Sequence, residues 1–163
     1  MPMTESLSNA YLTFLLNDEK FAVHINSVQE IVELNQFTKV PNTPEYMLGI
    51  INLRGKVLPL LDTRLKLGLQ PAERTSKNRV LILDIKDTEE RTTQIGAIVD
   101  VAKEVVAIEA DKIQKPTECD VYKRSTPVTG IVNHQGDITM IIDINKVFAA
   151  EDVNVLADSE PAI

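Results

Sequence analysis

Short aliphatic runs set apart by polar turns make up most of the chain. "AYLTFLL" at the start and "RVLILDI" at 79–85 have the length and flanks of strands. "GIINLRGKVLPLLD" (49–62) and "GIVNHQGDITMIID" (130–143) each read as two strands around a short turn. There, Asn tolerates a left-handed backbone and Gly55 gives a positive φ without steric conflict. "NDEK" predicts a tight connection, and its longer counterpart "KDTEERTTQ" a solvated loop. Pro59 lacks an N–H and predicts an edge or bulge position for its strand. Asp62 and Asp143 each close a strand and are placed to cap the short helices "TRLKLG" and "INKVFAAED". "EADKIQKP" (109–116) predicts one more short helix, ended by Pro116.

The same pattern is written twice. The two hairpin segments share Gly, Ile, Asn, Gly and Asp at one spacing, and they differ at the tip, Leu53-Arg54 against His134-Gln135. "KFAVHINSVQEIV" (20–32) aligns without gaps on "QIGAIVDVAKEVV" (94–106), placing Glu30 on Glu104 and Ile31 on Val105. "YLTFLLN" is aligned on "RVLILDI", and "NTPEYMLGI" faces "STPVTGI". Two repeats follow, about 10–69 and 78–148, joined by "QPAERTSKN". A period near 70 is too long for the common solenoids and suits a duplicated small domain. About five strands per repeat suffice for one small barrel each. The predicted fold is therefore all-β, two packed five-stranded barrels over 10–150, with a flexible start (1–9) and an acidic tail (151–163).

Composition narrows the function. Val and Ile together outnumber Leu two to one, which favours strands. A net charge of −7 repels phosphate backbones, and no Lys/Arg cluster stands out, which argues against nucleic acid. The single Cys119 allows no intramolecular disulfide and suits a reducing compartment. "MPMTESLSNA" lacks the basic and apolar regions of a signal peptide, and no apolar run reaches the roughly 20 residues of a spanning helix. A cytosolic protein is expected.

Candidate chemistry is thin. His24, His134 and one Cys give no zinc-ligand spacing, so no metal and no cofactor are expected. A Cys119/His134 nucleophile pair has no local signature of a cysteine enzyme. Asp62 and Asp143, one from each repeat, invite comparison with a shared-proton carboxylate dyad. That loop needs Asp-Thr-Gly, whereas this chain reads Asp62-Thr63-Arg64 and Asp143-Ile144-Asn145, and capping accounts for both. A binding surface remains. Leu53 and Arg54 sit at a turn tip, and Glu30 and Arg54 are placed at the rim of an apolar groove. Strand alternation puts Ile25, Ser27, Gln29 and Ile31 on one face and Asn26, Val28, Glu30 and Val32 on the other.

From Tyr11 to Phe148 the chain resembles the CheW family of chemotaxis adaptors. The resemblance rests on V-Q-E-I (28–31), V-P-N-T-P (40–44), G-x-x-N-L-R-G (49–55) and L-D-x-R (61–64). It implies two packed SH3-like barrels with an apolar groove between them, and no catalysis. It further implies an adaptor between the cytoplasmic tips of chemoreceptors and the histidine kinase CheA, whose regulatory domain is CheW-like. Such a protein is a monomer when free, does not insert into the membrane, and is recruited to membrane-associated arrays. Carried over by motif, partner contacts fall on Ile25, Val28, Glu30, Thr38, Gly49, Leu53, Arg54, Gly96, Ala102 and Val105. Ala102 stands where the family often has a larger aliphatic. Within the class, an adaptor of another chemosensory pathway (twitching, or a second-messenger output) is the alternative. The lack of a receiver domain argues against a CheV-type fusion, and the competing class is a small aspartate-dependent hydrolase.

Overall fold

The computed structural model describes residues 8–86, 89–115 and 127–148. The acidic tail, Pro116, Cys119 and most of the expected flexible start lie outside them. Among the described residues ten strands are formed, five in each repeat. The first repeat holds β1 (Ala10–Leu16), β2 (Glu19–His24), β3 (Val28–Glu33), β4 (Met47–Leu53) and β5 (Lys56–Asp62). The second holds β6 (Arg79–Lys86), β7 (Thr92–Val99), β8 (Val101–Ala107), β9 (Val128–His134) and β10 (Asp137–Ile142). Helices α1 (Thr63–Lys66) and α2 (Ile144–Val147) each last one turn, and 3-10 turns occupy Ile25–Ser27 and Ala110–Lys112.

The strands assemble as two five-stranded sheets, ordered β8-β1-β2-β10-β9 and β3-β6-β7-β5-β4. One barrel per repeat is thereby corrected. Each sheet takes the first two strands of one repeat and the last three of the other. Every hairpin lies within a repeat, and every other pairing, β1–β8, β3–β6 and the parallel β2–β10 and β5–β7, joins the two. The chain changes sheet at two equivalent places. After β2 it turns through Ile25–Ser27, so Ile25 is not on a strand and the predicted face shared with Ile31 does not exist. His24 Nδ1 accepts the Asn26 N–H there at 3.1 Å, fixing the turn. After β7 it turns at Asp100.

Pairing also corrects one alignment. Leu12 faces Val23 as Leu81 faces Ala97, so "YLTFLL" matches "VLILDI", one residue along from the predicted match. In a strand a slip of one reverses every side chain, and only this register buries both aliphatic sets. Leu12, Phe14 and Leu16 of one sheet meet Leu81, Leu83 and Ile85 of the other in a shared central core. A second core, Leu58, Leu60, Val80, Ile82 and Ile98, lies inside the β3–β4 sheet and is covered by Val32 of β3 with Ile51 and Leu53 of β4. Both edge strands close over one core, so the sheet is curled. Ala22, Ile108, Val132 and Ile141 form the counterpart in the other sheet.

Pro59 is not at an edge, because β5 lies between β7 and β4. Ile50 spends its own N–H and C=O on Thr38, at 2.8 and 2.9 Å, so the facing Ile50–Pro59 pair exchanges no hydrogen bonds. The missing Pro59 N–H points toward β7, where pairing starts only at Leu60, and the ladder loses nothing. The Thr38 bridge also explains Gly49, where a Cβ would lie 2.2 Å from the Thr38 carbonyl oxygen. Its counterpart Gly130 sits under the equivalent Gln114–Ile131 bridge, but there the nearest atom is the Ile113 Cγ2 at 2.4 Å.

The two glycines should therefore respond unequally. Gly49→Ala pushes on backbone and should lower unfolding free energy by roughly 1–3 kcal/mol, as overpacking does. Gly130→Ala pushes on the Ile113 Cγ2, which can give way only by a change of χ1, and should still lose less because a side chain, not the backbone, has to move. Urea unfolding of both variants checks the order, and equal losses would refute it.

Candidate functional site

The two hairpin tips share one construction. Arg54 (φ 52) and Gly55 (φ 85) match Gln135 (φ 53) and Gly136 (φ 87), the two-residue turn with both centres left-handed. The asparagines do not adopt that conformation, as the sequence suggested. Instead Asn52 Oδ1 accepts the Gly55 N–H at 2.8 Å, and Asn133 Oδ1 the Gly136 N–H at 3.1 Å. Arg54 and Gln135 take the left-handed backbone, unfavourable for a residue with a Cβ.

Only the first tip turns this geometry into a contact. The Arg54 guanidinium donates to both oxygens of Glu30, at 2.9 and 2.7 Å. Glu30 belongs to β3 and Arg54 to the β4–β5 turn, so the fork joins the two edges of the curled sheet. The Arg54 side chain is 69% exposed and that of Glu30 32%. The hydrogen bonds from Arg54 hold the Glu30 carboxyl below its ordinary range, and Glu30 raises Arg54 in return. The contact is therefore complete above the ordinary glutamate range and is lost as pH falls through the lowered value. At the second tip His134 replaces Leu53, which packs over the inner core, and is half-buried. Its Nε2 is buried without a hydrogen-bond partner.

The ten residues assigned from the sequence do not form one patch. Glu30 and Arg54 are bonded, and Leu53 lies beside Arg54 over the inner core. Ile25 and Val28 pack on the central core and are only partly exposed. Thr38 is exposed above the buried Gly49, a pair brought together by backbone approach. Gly96 is buried, and a Cβ there would meet Val80 of β6 at 2.9 Å and Ile51 of β4 at 3.2 Å, so its role is to let side chains of β4 and β6 close over β7. Ala102 and Val105 lie on β8 in the other sheet.

Of the four most exposed large apolar side chains, the sequence reading assigned only Val105 to partner contact and missed the other three. Among the described residues the four are Ile31 at 42%, Val57 at 54%, Val105 at 53% and Ile138 at 59%. They are two duplicated positions. Ile31 matches Val105 on edge strands β3 and β8, and Val57 matches Ile138 at the starts of β5 and β10. Aligning the repeats and asking which aliphatics recur beside charged neighbours would have found them.

The sheets differ where the repeats diverged. A concavity of about 600 Å3 lies on the first sheet, lined by Leu15, Lys20, Lys103, Asp137, Ile138 and Met140 among others. The equivalent place on the second sheet is tied by Gln29 donating to Asp84 and by Lys56 Nζ donating to Gln94 at 3.1 Å. The space between the sheets, expected to hold a groove, is filled by the central core.

Both aspartates of the considered dyad act as helix caps. Asp62 Oδ1 accepts the Leu65 N–H at 3.2 Å and Asp143 Oδ1 the Asn145 N–H at 2.9 Å. Burial pushes the Asp62 carboxyl up, against the N–H groups of Leu65 and Arg64. Among the described residues no cluster of His, Cys, Asp and Glu could hold a metal, and no helix is long and apolar enough to cross a membrane.

The model of the CheW-like domain matches residues 10–152. The chemotaxis protein CheW of Bacillus subtilis is 31% identical over 140 residues, 86% of each chain. The probable chemotaxis protein CheW of Rhizobium etli is 30% identical over 138 residues, 85% of this chain and 86% of that one. The crystal structure of the scaffolding protein TtCheW from Thermoanaerobacter tengcongensis superposes with a TM-score of 0.76 at 30% identity, covering 88% of this chain and 94% of that one.

Arg54 should separate stability from contact. Arg54→Asn makes the turn Asn-Gly, the pair best suited to two left-handed residues. The relaxed backbone should offset the lost exposed ion pair and leave the unfolding midpoint within the range of repeat measurements on the parent. Chemical unfolding checks this. A loss well beyond that range would make the fork a fold-holding element.

Proposed function

The chain belongs to the CheW family and is a coupling adaptor of chemotaxis signalling, and we propose that it acts without catalysis, by bridging two partners through two separate surfaces. The partners are the cytoplasmic tips of chemoreceptors and the histidine kinase CheA. The site of action is the cytoplasmic face of membrane-associated receptor arrays, which the protein joins without inserting into the bilayer. The observation that carries this reading is the duplication of exposed apolar positions, Ile31 and Val57 on one sheet, Val105 and Ile138 on the other. A bridge needs two faces that exclude water independently, and a duplicated fold supplies them. The Glu30–Arg54 fork is a separate oriented charged contact on the other side of β3 from Ile31, because Glu30 pairs with Ile82 of the inner core and Ile31 with Leu81 of the central one. Of the family's contact positions, Val28 shares Ile31's side of β3, Leu53 lies over the inner core on the fork's side, and Ala102 is on β8 with Val105.

Bridging makes a prediction that catalysis does not. Receptor-stimulated autophosphorylation, measured at fixed receptor and kinase, should rise as adaptor is titrated in and fall at large excess, when receptors and kinases are saturated by different adaptor molecules. A plateau without decline, for a protein shown to bind both, would defeat independent two-site bridging. Ile31→Asp should stay folded, because the site is exposed, and should weaken one partner by at least about tenfold, or 1.4 kcal/mol. Asp62→Asn should keep the shape of the curve.

A further inference from the structure

The two places where the chain changes sheet are equivalent in the duplication but differ in chemistry. At the β7–β8 crossover Asp100 gathers four segments. Arg64 of α1 donates to it through Nε at 2.9 and 3.1 Å and through a second nitrogen, and the Asn17 N–H of the β1–β2 turn donates at 2.7 Å. The Asp100 N–H donates to the Leu15 carbonyl at 3.1 Å, and Asn78 Nδ2 in the segment joining the repeats donates to the Asp100 carbonyl at 3.1 Å. Arg64 also donates to the Gln70 carbonyl at 2.9 Å. The Arg64 side chain is 11% exposed and that of Asp100 25%. Burial pushes the Asp100 carboxyl up, but Arg64 and the Asn17 N–H outweigh it and hold it below its ordinary range.

At the β2–β3 crossover the counterparts of Asp100, Arg64 and Asn17 are Asn26, Asn145 and Lys86. Asn145 Oδ1 accepts the Lys86 N–H at 2.8 Å, so the same backbone donor is satisfied without charge. Among the described residues no hydrogen bond joins Asn26 to Asn145, and that corner rests on the His24 cap. Ion pairs out of water add little net stability over well-packed apolar groups and are better placed to select one arrangement. We propose that Arg64 and Asp100 are positioning residues that touch no partner and lock one crossover, fixing the angle between the two sheets, while the neutral crossover into β3 is the compliant joint. The partner-carrying faces lie one on each sheet, so this lock sets their relative orientation. That consequence rests on the bridging reading, whereas the lock itself does not.

The test makes both joints alike. Arg64→Asn/Asp100→Asn installs the residue types of the neutral corner, and Asn at 100 keeps an acceptor for the Asn17 N–H. Residual dipolar couplings of backbone amides, fitted sheet by sheet in a weakly aligned sample, read the orientation directly. In the parent one alignment tensor should fit both sheets. In the double variant each sheet should fit its own tensor while the shared fit fails. Ile82→Val, a core truncation, is the reference that lowers stability and leaves the shared fit intact. If the double variant does not fold, Arg64→Lys keeps the charge and loses the fork, and should degrade the shared fit to a lesser degree. A shared tensor equal to the parent's in a folded variant overturns the lock. In the binding arm, simultaneous engagement of receptor tip and kinase should weaken by about tenfold, with each single affinity little changed. Failure of the parent to bind both partners would count against bridging alone. Unchanged simultaneous engagement by a variant whose orientation is altered would overturn the link between lock and function.

Discussion

Pairing between the repeats is the constraint on which the rest depends. The four hairpins are local, but every pairing that turns hairpins into sheets crosses from one repeat to the other. Neither repeat holds a complete sheet, and the central core needs Leu12, Phe14 and Leu16 from one and Leu81, Leu83 and Ile85 from the other. The two sheets thus form as one cooperative object, at the entropic cost of closing long loops before the contacts exist. Exchange also fixes which surfaces share a sheet. Glu30 and Arg54 come from the same repeat yet meet only because β6 and β7 of the other repeat separate β3 from β5 and the sheet curls round them.

Duplication followed by divergence explains how one plan carries unlike faces. The hairpin scaffold is preserved down to the asparagine that accepts the glycine N–H at each tip. What changed is the outward-facing chemistry. Arg54 became a fork for Glu30 while Gln135 did not, and the polar ties Gln29–Asp84 and Lys56–Gln94 have no counterpart where Leu15 and Lys103 line a concavity. The crossovers diverged in the same manner, with charge at Asp100 and neutral groups at Asn26. Ile31 pairs with Leu81 and Val105 with Leu12, so the exposed apolar positions continue, at the sheet edges, the same strand faces that build the shared core.

What the sequence by itself determined was local. Strand period, the Asn and Gly of the turns, and the capping aspartates rest on interactions within a few residues, and these gave about five strands per repeat, both hairpin tips and the two capped helices, though Ile25 falls in a turn and not on a strand. The family motifs are likewise continuous, so V-Q-E-I and N-L-R-G were legible before any strand was paired. Tertiary structure decided the rest. The strand exchange, the one-residue correction in matching β1 to β6, the interior place of Pro59 and the burial of Gly96 depend on which strand lies alongside. The sequence carries no local mark of that, because hairpin geometry is the same whichever sheet receives it. The Glu30–Arg54 fork and the Arg64–Asp100 lock join residues 24 and 36 positions apart. Their partners were readable as charges, but distance and burial, which turn charges into a contact, exist only once the two repeats have closed on each other.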